Sequence, residues 1–103
     1  MPSILDKIFA DKKEELASVK RQVSLSDLKD RIAERDYQIR DIEKVLQPGV
    51  SSRIIAEIKP RTPFKGQLRE NFNPLDIAEI YGSNGAAALS ILTESIYFGG
   101  TLT

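Results

Sequence analysis

Apolar side chains recur at helical spacing through the first part of the chain. The pattern predicts an amphipathic helix over residues 1 to about 23, with Ser3 as N-cap and Asp6 in a weak form of the capping box. Residues 11–15 are charged, lie opposite the apolar face and are typical of a solvated surface rather than a binding patch. The apolar positions of this helix are Ile4, Leu5, Ile8, Phe9, Leu16 and Val19.

Two shorter helical segments are predicted next. Either Ser24 or Ser26 is suited to cap the first, and Leu28 and Ile32 are spaced to face inward together. Residues 36–47 have apolar side chains at helical spacing, which predicts one or two further turns, and the Pro-Gly pair that follows is a stop signal.

From residue 53 to residue 59 the pattern changes to that of a buried strand, RIIAEIK. One face is apolar throughout, whereas the other becomes charged at the carboxyl end of the strand. Ligands and catalysis lie at this end of parallel strands in α/β proteins, so Glu57 and Lys59 are candidate site residues. A half-exposed strand edge with both charges solvated is the alternative. The two faces are Ile54, Ala56 and Ile58, and Ile55, Glu57 and Lys59.

A long connection over residues 60–73 follows this strand, and we expect it to be extended. Its cations Arg61, Lys65 and Arg69 suit an anionic substrate. Asn73 is placed to cap the next helix. The helix signals after it are Pro74 at the first position, Asp76 in the first turn, a buried stripe of Ile77, Ala78, Ile80 and Tyr81, and a stop at Asn84-Gly85.

Residues 86–93, AAALSILT, are predicted to form a second buried strand, followed by a loop over residues 94–100. Strand, helix and strand in this order predict a βαβ unit with parallel strands and a right-handed crossover. Two parallel strands expose too much apolar surface to be stable by themselves. We therefore expect further structure, from a larger fold or from self-association, to cover the sheet.

Composition narrows the chemistry. The 103 residues include 15 basic and 15 acidic side chains, so no net field favours nucleic acid. Cysteine and histidine are absent, which removes thiol nucleophiles and the commonest metal ligands, and we expect neither a metal nor another cofactor. We find neither an apolar run of membrane-spanning length nor a signal sequence, so we expect a cytoplasmic protein without a membrane partner.

Several of these segments together resemble the indole-3-glycerol-phosphate synthase family. They are ILDKI and KKEE near the start, IIAEIK with the Pro-x-x-Gly after it, the Asn-Pro helix start, and GAAALSILTESIYFGG. The resemblance implies an α/β fold in which residues 1–47 are a helical extension. Residues 53–103 would then be the first βαβ segment of a (β/α)8 barrel that is incomplete in this chain.

The resemblance also implies a lyase of tryptophan biosynthesis, acting on a small phosphorylated aromatic substrate. This compound, 1-(o-carboxyphenylamino)-1-deoxyribulose 5-phosphate, closes its ring with loss of carbon dioxide and water. Glu57 and Lys59 match the family's first-strand catalytic pair, in which Lys59 would also hold an anionic group of the substrate. The remaining substrate-binding positions implied are Thr62, Ser90, Leu92 and Phe98, of which Phe98 would pack on an aromatic ring.

Two departures from the family accompany this match. Thr62 keeps the hydroxyl of the usual serine, but Phe64 removes another and Arg61 replaces a generally small residue. In addition, the family's general-acid lysine and general-base glutamate come from its third and fourth strands, outside these 103 residues. Each such group contributes about 10²–10⁴ in rate, so we expect these residues alone to be inactive.

Two other readings remain open. The chain is also consistent with a non-catalytic assembly module, in which several copies or a partner chain complete the apolar surface. A solution size well above that of one chain would favour this reading. The third reading is a barrel fragment that binds a phosphorylated ligand without the family's chemistry, for which Arg61 and Phe64 are the hints.

Overall fold

A computed structural model of the chain describes residues 2–49 and 53–102. Met1, residues 50–52 and Thr103 lie outside the described residues, and with them the first position of the predicted first helix and the last of the predicted barrel segment. Two compact units are distinguished, one ending at Ile39 and the other beginning at Arg40. The predicted division into residues 1–47 and 53–103 stays a prediction.

The first unit contains two capped helices, α1 (Ile4–Gln22) and α2 (Leu25–Ala33). In α1 the hydroxyl of Ser3 accepts the N–H of Asp6 at 3.1 Å, and the Asp6 carboxylate accepts the N–H of Ser3 at 2.8 Å. This is a complete capping box, so the prediction is confirmed. α2 repeats it with Ser24 and Asp27, which identifies Ser24 as the cap of α2.

The apolar faces of these two helices are not buried. Phe9 is 64% exposed and Ile32 is 62% exposed, and neither helix has a buried residue among those described. The prediction that Leu28 and Ile32 face a core is therefore wrong for this chain. Periodicity identifies which face of a helix is apolar, but another element must pack on that face before it is buried.

The second unit begins with α3 (Ile42–Val45), a single turn capped by Asp41. Helix is therefore shorter here than the predicted residues 36–47. β1 (Ile55–Ile58) and β4 (Ala88–Ile91) pair in parallel, with α4 (Pro74–Ser83) between them in the chain. The predicted strand–helix–strand order and parallel pairing are thus confirmed, although both strands are shorter than predicted.

The connection after β1 is predicted to be extended, but in the structure it folds into a small hairpin. Its strands β2 (Arg61–Thr62) and β3 (Gly66–Gln67) pair antiparallel, with Thr62 opposite Gly66. Gly66 has φ of +64°, a left-handed conformation that glycine adopts without strain. The Thr62 hydroxyl accepts the N–H of Lys65 at 3.0 Å, which stabilises the turn.

The start and end of α4 agree with the predicted signals. The side-chain oxygen of Asn73 accepts the N–H groups of Leu75 and Asp76 at 3.0 and 3.3 Å, and Pro74 occupies the first turn. Gly85, just beyond the C-cap, has φ of +91°. None of the described helices is long and apolar enough to cross a lipid bilayer.

Burial in the second unit is limited to the middle of the βαβ unit. Among the described residues only Ile58, at 2% exposure, is a buried hydrophobic side chain. Ile55 of β1, Ile80 of α4 and Ile91 of β4 are 51%, 53% and 56% exposed, so the predictions of two buried strands and of a buried helix stripe are wrong here. The helix α4 covers only part of one sheet face. A two-stranded sheet is also too narrow to enclose a core.

Candidate functional site

The register of the parallel sheet collects polar side chains on one face. Glu57 of β1 is the partner of Ser90 in β4, and Ile55 is the partner of Ala88. Side chains alternate along a strand, so Lys59, two residues after Glu57, lies on the same side of the chain. The polar side chains therefore lie toward the carboxyl ends of both strands, whereas Ile58 points to the opposite face.

Glu57 is the centre of this group. One carboxylate oxygen, Oε1, lies 3.1 Å from Nζ of Lys59. The other, Oε2, accepts the hydroxyl of Ser90 at 3.0 Å. The Glu57 and Lys59 side chains are 43% and 35% exposed, so the ion pair is open to solvent and screened by salt.

These contacts lower the pKa of Glu57. The hydrogen bond from Lys59 lowers its pKa below the ordinary value of 4.5, and the hydrogen bond from Ser90 lowers it further, against a small opposing effect of burial. Glu57 is an anion at neutral pH, as its ordinary pKa already implies, and the two hydrogen bonds stabilise this form as an acceptor. Lys59 has three N–H donors, so pairing with Glu57 leaves capacity for an anionic ligand group.

The other three predicted site residues lie on segments next to these strand ends. The N–H of Leu92 donates to the carbonyl of Ile58 at 3.1 Å and extends the ladder one residue beyond β4. Phe98, half-buried, lies in the turn after β4, and its carbonyl accepts the N–H of Arg61 at 3.2 Å. Thr62 is on β2. Side-chain contacts join Glu57, Lys59 and Ser90, whereas the Thr62 hydroxyl is engaged within its own hairpin.

Two further residues organise this region: Glu94 was not identified from the sequence as a site residue, and Arg61 was identified only as a loop cation suited to an anionic substrate. The Glu94 carboxylate, just after β4, accepts three backbone N–H groups of the following turn. The guanidinium of Arg61 donates to two carbonyls of the same turn. A carboxylate immediately before a short turn is a local signal that could have indicated the first contact. The contact of Arg61 spans 34 and 35 positions in the chain and had no such signal.

A cleft of about 390 Å³ lies beside β1. Most of its lining comes from α4 and the loop before it, on the side of the sheet to which Ile58 points. We therefore regard it as distinct from the polar face of Glu57 and Ser90, although Glu57 and Lys59 also line it, with Arg69 as a third charged residue. The lining residues are Glu57, Ile58, Lys59, Leu68, Arg69, Phe72, Ile77, Ile80 and Tyr81.

No cluster of acidic residues suited to hold a metal ion occurs within residues 2–49 and 53–102. The chemistry available is that of an anionic carboxylate, a paired ammonium and a hydroxyl at the carboxyl ends of two parallel strands. This arrangement defines the class: an α/β protein whose candidate site lies at the carboxyl edge of a parallel sheet.

Comparison with known proteins identifies the family. The family model of indole-3-glycerol phosphate synthase matches residues 5–103. The chain belongs to the indole-3-glycerol phosphate synthase family, which confirms the resemblance found in its sequence, and members of this family are TIM barrels.

Individual relatives have the same description. Indole-3-glycerol phosphate synthase of Burkholderia ambifaria is 43% identical over 105 aligned positions, which cover 99% of this chain and 40% of the relative. The proteins of that name from Burkholderia cenocepacia and Leptothrix cholodnii are 44% and 41% identical, each over 97% of this chain and 39% of the relative. The chain thus spans about 40% of the length of the curated relatives it matches.

Proposed function

We propose that this chain forms the N-terminal section of an indole-3-glycerol phosphate synthase. In this proposal the βαβ unit is the first part of a (β/α)8 barrel, and α1 and α2 belong to a helical extension ahead of it. The whole enzyme converts 1-(o-carboxyphenylamino)-1-deoxyribulose 5-phosphate to indole-3-glycerol phosphate, with loss of carbon dioxide and water. Family membership supports the reaction, and the parallel β1–β4 pair supports the barrel.

One observation carries the assignment of the site: the Glu57 carboxylate joins Lys59 and Ser90 across two strands. Bridging the strands fixes the Lys59 ammonium at their carboxyl ends, where barrel enzymes bind their substrates. Lys59 supplies positive charge for a carboxylate or phosphate group of the substrate. Glu57, ionised at neutral pH and stabilised in that form by its two partners, orients Lys59 and accepts hydrogen bonds rather than donating a proton.

Apolar contacts with the substrate are proposed for Leu92 and Phe98, which adjoin the same strand ends. Phe98 would pack on an aromatic ring and Thr62 would contribute a hydroxyl. Other parts of the barrel supply the remaining acid–base groups, so we expect the 103 residues by themselves to have no measurable turnover.

A chimera tests this proposal directly. The chain replaces the matched 40% of the Burkholderia ambifaria relative, and formation of indole-3-glycerol phosphate is followed with the substrate named above. We expect the chimera to be active and the isolated chain to be inactive. Lys59→Met in the chimera should lower kcat/KM by about 10²–10³, as is typical when one preorganised charge is removed.

Lys65 is one of the cations that the sequence suggested for an anionic substrate, but the structure places it in the exposed turn between β2 and β3. Lys65→Met is therefore the matched control, and it keeps the backbone N–H that binds Thr62. We expect it to change kcat/KM by less than about threefold, the scale of a surface charge. A folded chimera that binds the substrate but forms no product would contradict the proposal and favour a phosphorylated-ligand-binding fragment. Equal losses in the Lys59 and Lys65 variants would contradict the role of Lys59.

A further inference from the structure

The turn after β4, residues 94–100, forms several hydrogen bonds with two side chains, those of Glu94 and Arg61. Glu94 closes it from within: its carboxylate accepts backbone N–H groups of the three residues that form the turn. They are Ile96 at 2.7 Å, Tyr97 at 2.8 Å and Phe98 at 3.1 Å. The N–H of Gly100 also donates to the Glu94 carbonyl at 2.7 Å. The three bonds to the Glu94 carboxylate are charge-assisted and are therefore stronger than hydrogen bonds between neutral groups.

Arg61 closes the same turn from outside. Its guanidinium donates from Nη2 to the carbonyls of Ser95 at 2.9 Å and Ile96 at 2.7 Å. Its backbone N–H donates to the carbonyl of Phe98 at 3.2 Å. One residue of β2 therefore binds three of the turn's carbonyls.

Gly99 allows this close approach. A Cβ atom at Gly99 would lie 3.2 to 3.3 Å from the Cγ, Cδ and Nε atoms of Arg61, closer than most Cβ contacts. Gly99 also has φ of +67°, a conformation that side chains rarely adopt. The Arg61 side chain thus lies along a bare stretch of backbone beside Phe98, so the turn and β2 are in contact through backbone and side chain alike.

We infer that Arg61 and Glu94 are positioning residues, which together hold the Phe98 turn against the segment that follows Lys59. Arg61 lies two residues after Lys59, so fixing the turn to Arg61 fixes Phe98 relative to the charged end of β1. The two side chains act on opposite groups of one turn, Glu94 on its N–H groups and Arg61 on its carbonyls. The consequence for substrate binding rests on the proposed function, whereas the effect on the turn does not.

The first experiment measures the turn without any activity. Hydrogen exchange of the Ile96, Tyr97 and Phe98 amides is compared in the 103-residue chain and in its Arg61→Met and Arg61→Lys variants. We expect Arg61→Met to accelerate exchange by about tenfold, the loss of charge-assisted bonds at an exposed site. Lysine keeps the charge but lacks the planar Nη2 amino group that donates to both carbonyls, so it should restore only part of the protection.

The amide of Leu92 reports whether the variant is still folded, because it donates within the β1–β4 ladder. If Arg61→Met also accelerates exchange of the Leu92 amide, the Arg61→Lys variant is used for the test instead. It should keep the Leu92 amide protected and lose part of the protection of the three turn amides. Unchanged exchange of the three turn amides in a folded variant would overturn the inference. Lys65→Met, on the same hairpin, is the control and should leave them unchanged.

The second experiment measures the consequence in the active chimera described above. A loosened Phe98 weakens substrate binding, so we expect Arg61→Met to raise KM by about tenfold and to change kcat by less than about threefold, with partial rescue by Arg61→Lys. A purely structural loss would lower kcat in proportion to the unfolded fraction and leave KM unchanged. Accelerated exchange with unchanged KM would overturn the role in binding, and an inactive unsubstituted chimera would instead count against the proposed function.

Discussion

The pKa of Glu57 depends on its immediate neighbours. Glu57 gains two hydrogen-bond donors, Lys59 from its own strand and Ser90 from the next. Both favour the ionised carboxylate, and Lys59 has the larger effect on its pKa. Because the pair is more than one third exposed, we expect these effects to be modest and to weaken as salt is added.

The pH dependence of Glu57 follows from this arrangement. A carboxylate whose pKa is lowered on folding stabilises the folded state above its ordinary pKa, and that contribution is lost as pH falls through the lowered value. We therefore expect no change from Glu57 between neutral pH and about 4.5, and a loss below that. Carboxyl NMR titration should give a midpoint under 4.5 in the unaltered chain.

Two variants distinguish the effects of Lys59 and Ser90 on the pKa of Glu57. Lys59→Met should raise the midpoint of Glu57 toward 4.5 by more than Ser90→Ala does, because Lys59 is the larger cause. Arg69→Met, which removes a cation of the same loop that does not act on Glu57, should leave the midpoint where it is. If Ser90→Ala raises the midpoint more than Lys59→Met does, the Ser90 hydroxyl, and not the Lys59 ammonium, is the larger cause of the lowered pKa of Glu57.

Helices in this chain owe their boundaries to side chains at their starts. Ser3, Ser24, Asp41 and Asn73 each accept backbone N–H groups that the first helical turn leaves without partners. The contacts are local, reaching two or three residues along the chain. They therefore form whether or not the apolar face of the helix is covered.

α2 offers a direct test, because two serines near its start are alternative caps in the sequence. Ser24→Ala removes the hydroxyl that accepts the Asp27 N–H and should destabilise α2 by about 1 kcal/mol. The loss is measured as reduced helical Cα chemical shifts over residues 25–33. Ser26→Ala is the matched control and should keep those shifts or raise them slightly, because alanine favours helix more than serine. A loss from Ser26→Ala as large as that from Ser24→Ala would contradict the assigned cap.

The whole molecule exposes much of its apolar surface. Within the described ranges only Ile58 is a buried hydrophobic residue, whereas Leu89 and Ile91 of β4 are 39% and 56% exposed. Burial contributes about 25 cal/mol per Å² of apolar surface, so a chain that buries so little gains little to offset its conformational entropy. We expect a broad thermal transition for the isolated 103 residues.

The exposed face of β4 should also cause association. Sedimentation velocity at rising concentration is expected to show growing size, and exchanging Leu89 and Ile91 together for Ser should reduce it. Leu102→Ser is the control, since Leu102 is 88% exposed but lies beyond the sheet. A monomer at every concentration, with a sharp thermal transition, would show that these 103 residues are stable without covering the sheet.

The sequence alone determined the features that depend on nearby residues. The caps at Ser3 and Asn73 and the left-handed turn at Gly85 follow from side chains a few positions away. The alternation in IIAEIK likewise placed Glu57 and Lys59 together, and motif resemblance identified the family. These interactions depend on local backbone geometry and on residue order, both of which can be read along the chain.

Tertiary structure decided everything that depends on which segments meet. It set the register that brings Ser90 to Glu57, folded the connection after β1 into a hairpin, and joined Arg61 to a turn more than thirty residues away. It also decided burial: apolar periodicity marked faces on α1, α4 and β4, but a face is buried only where another element packs on it. Pairing and packing are properties of two surfaces, and a pattern along one segment describes only one of them.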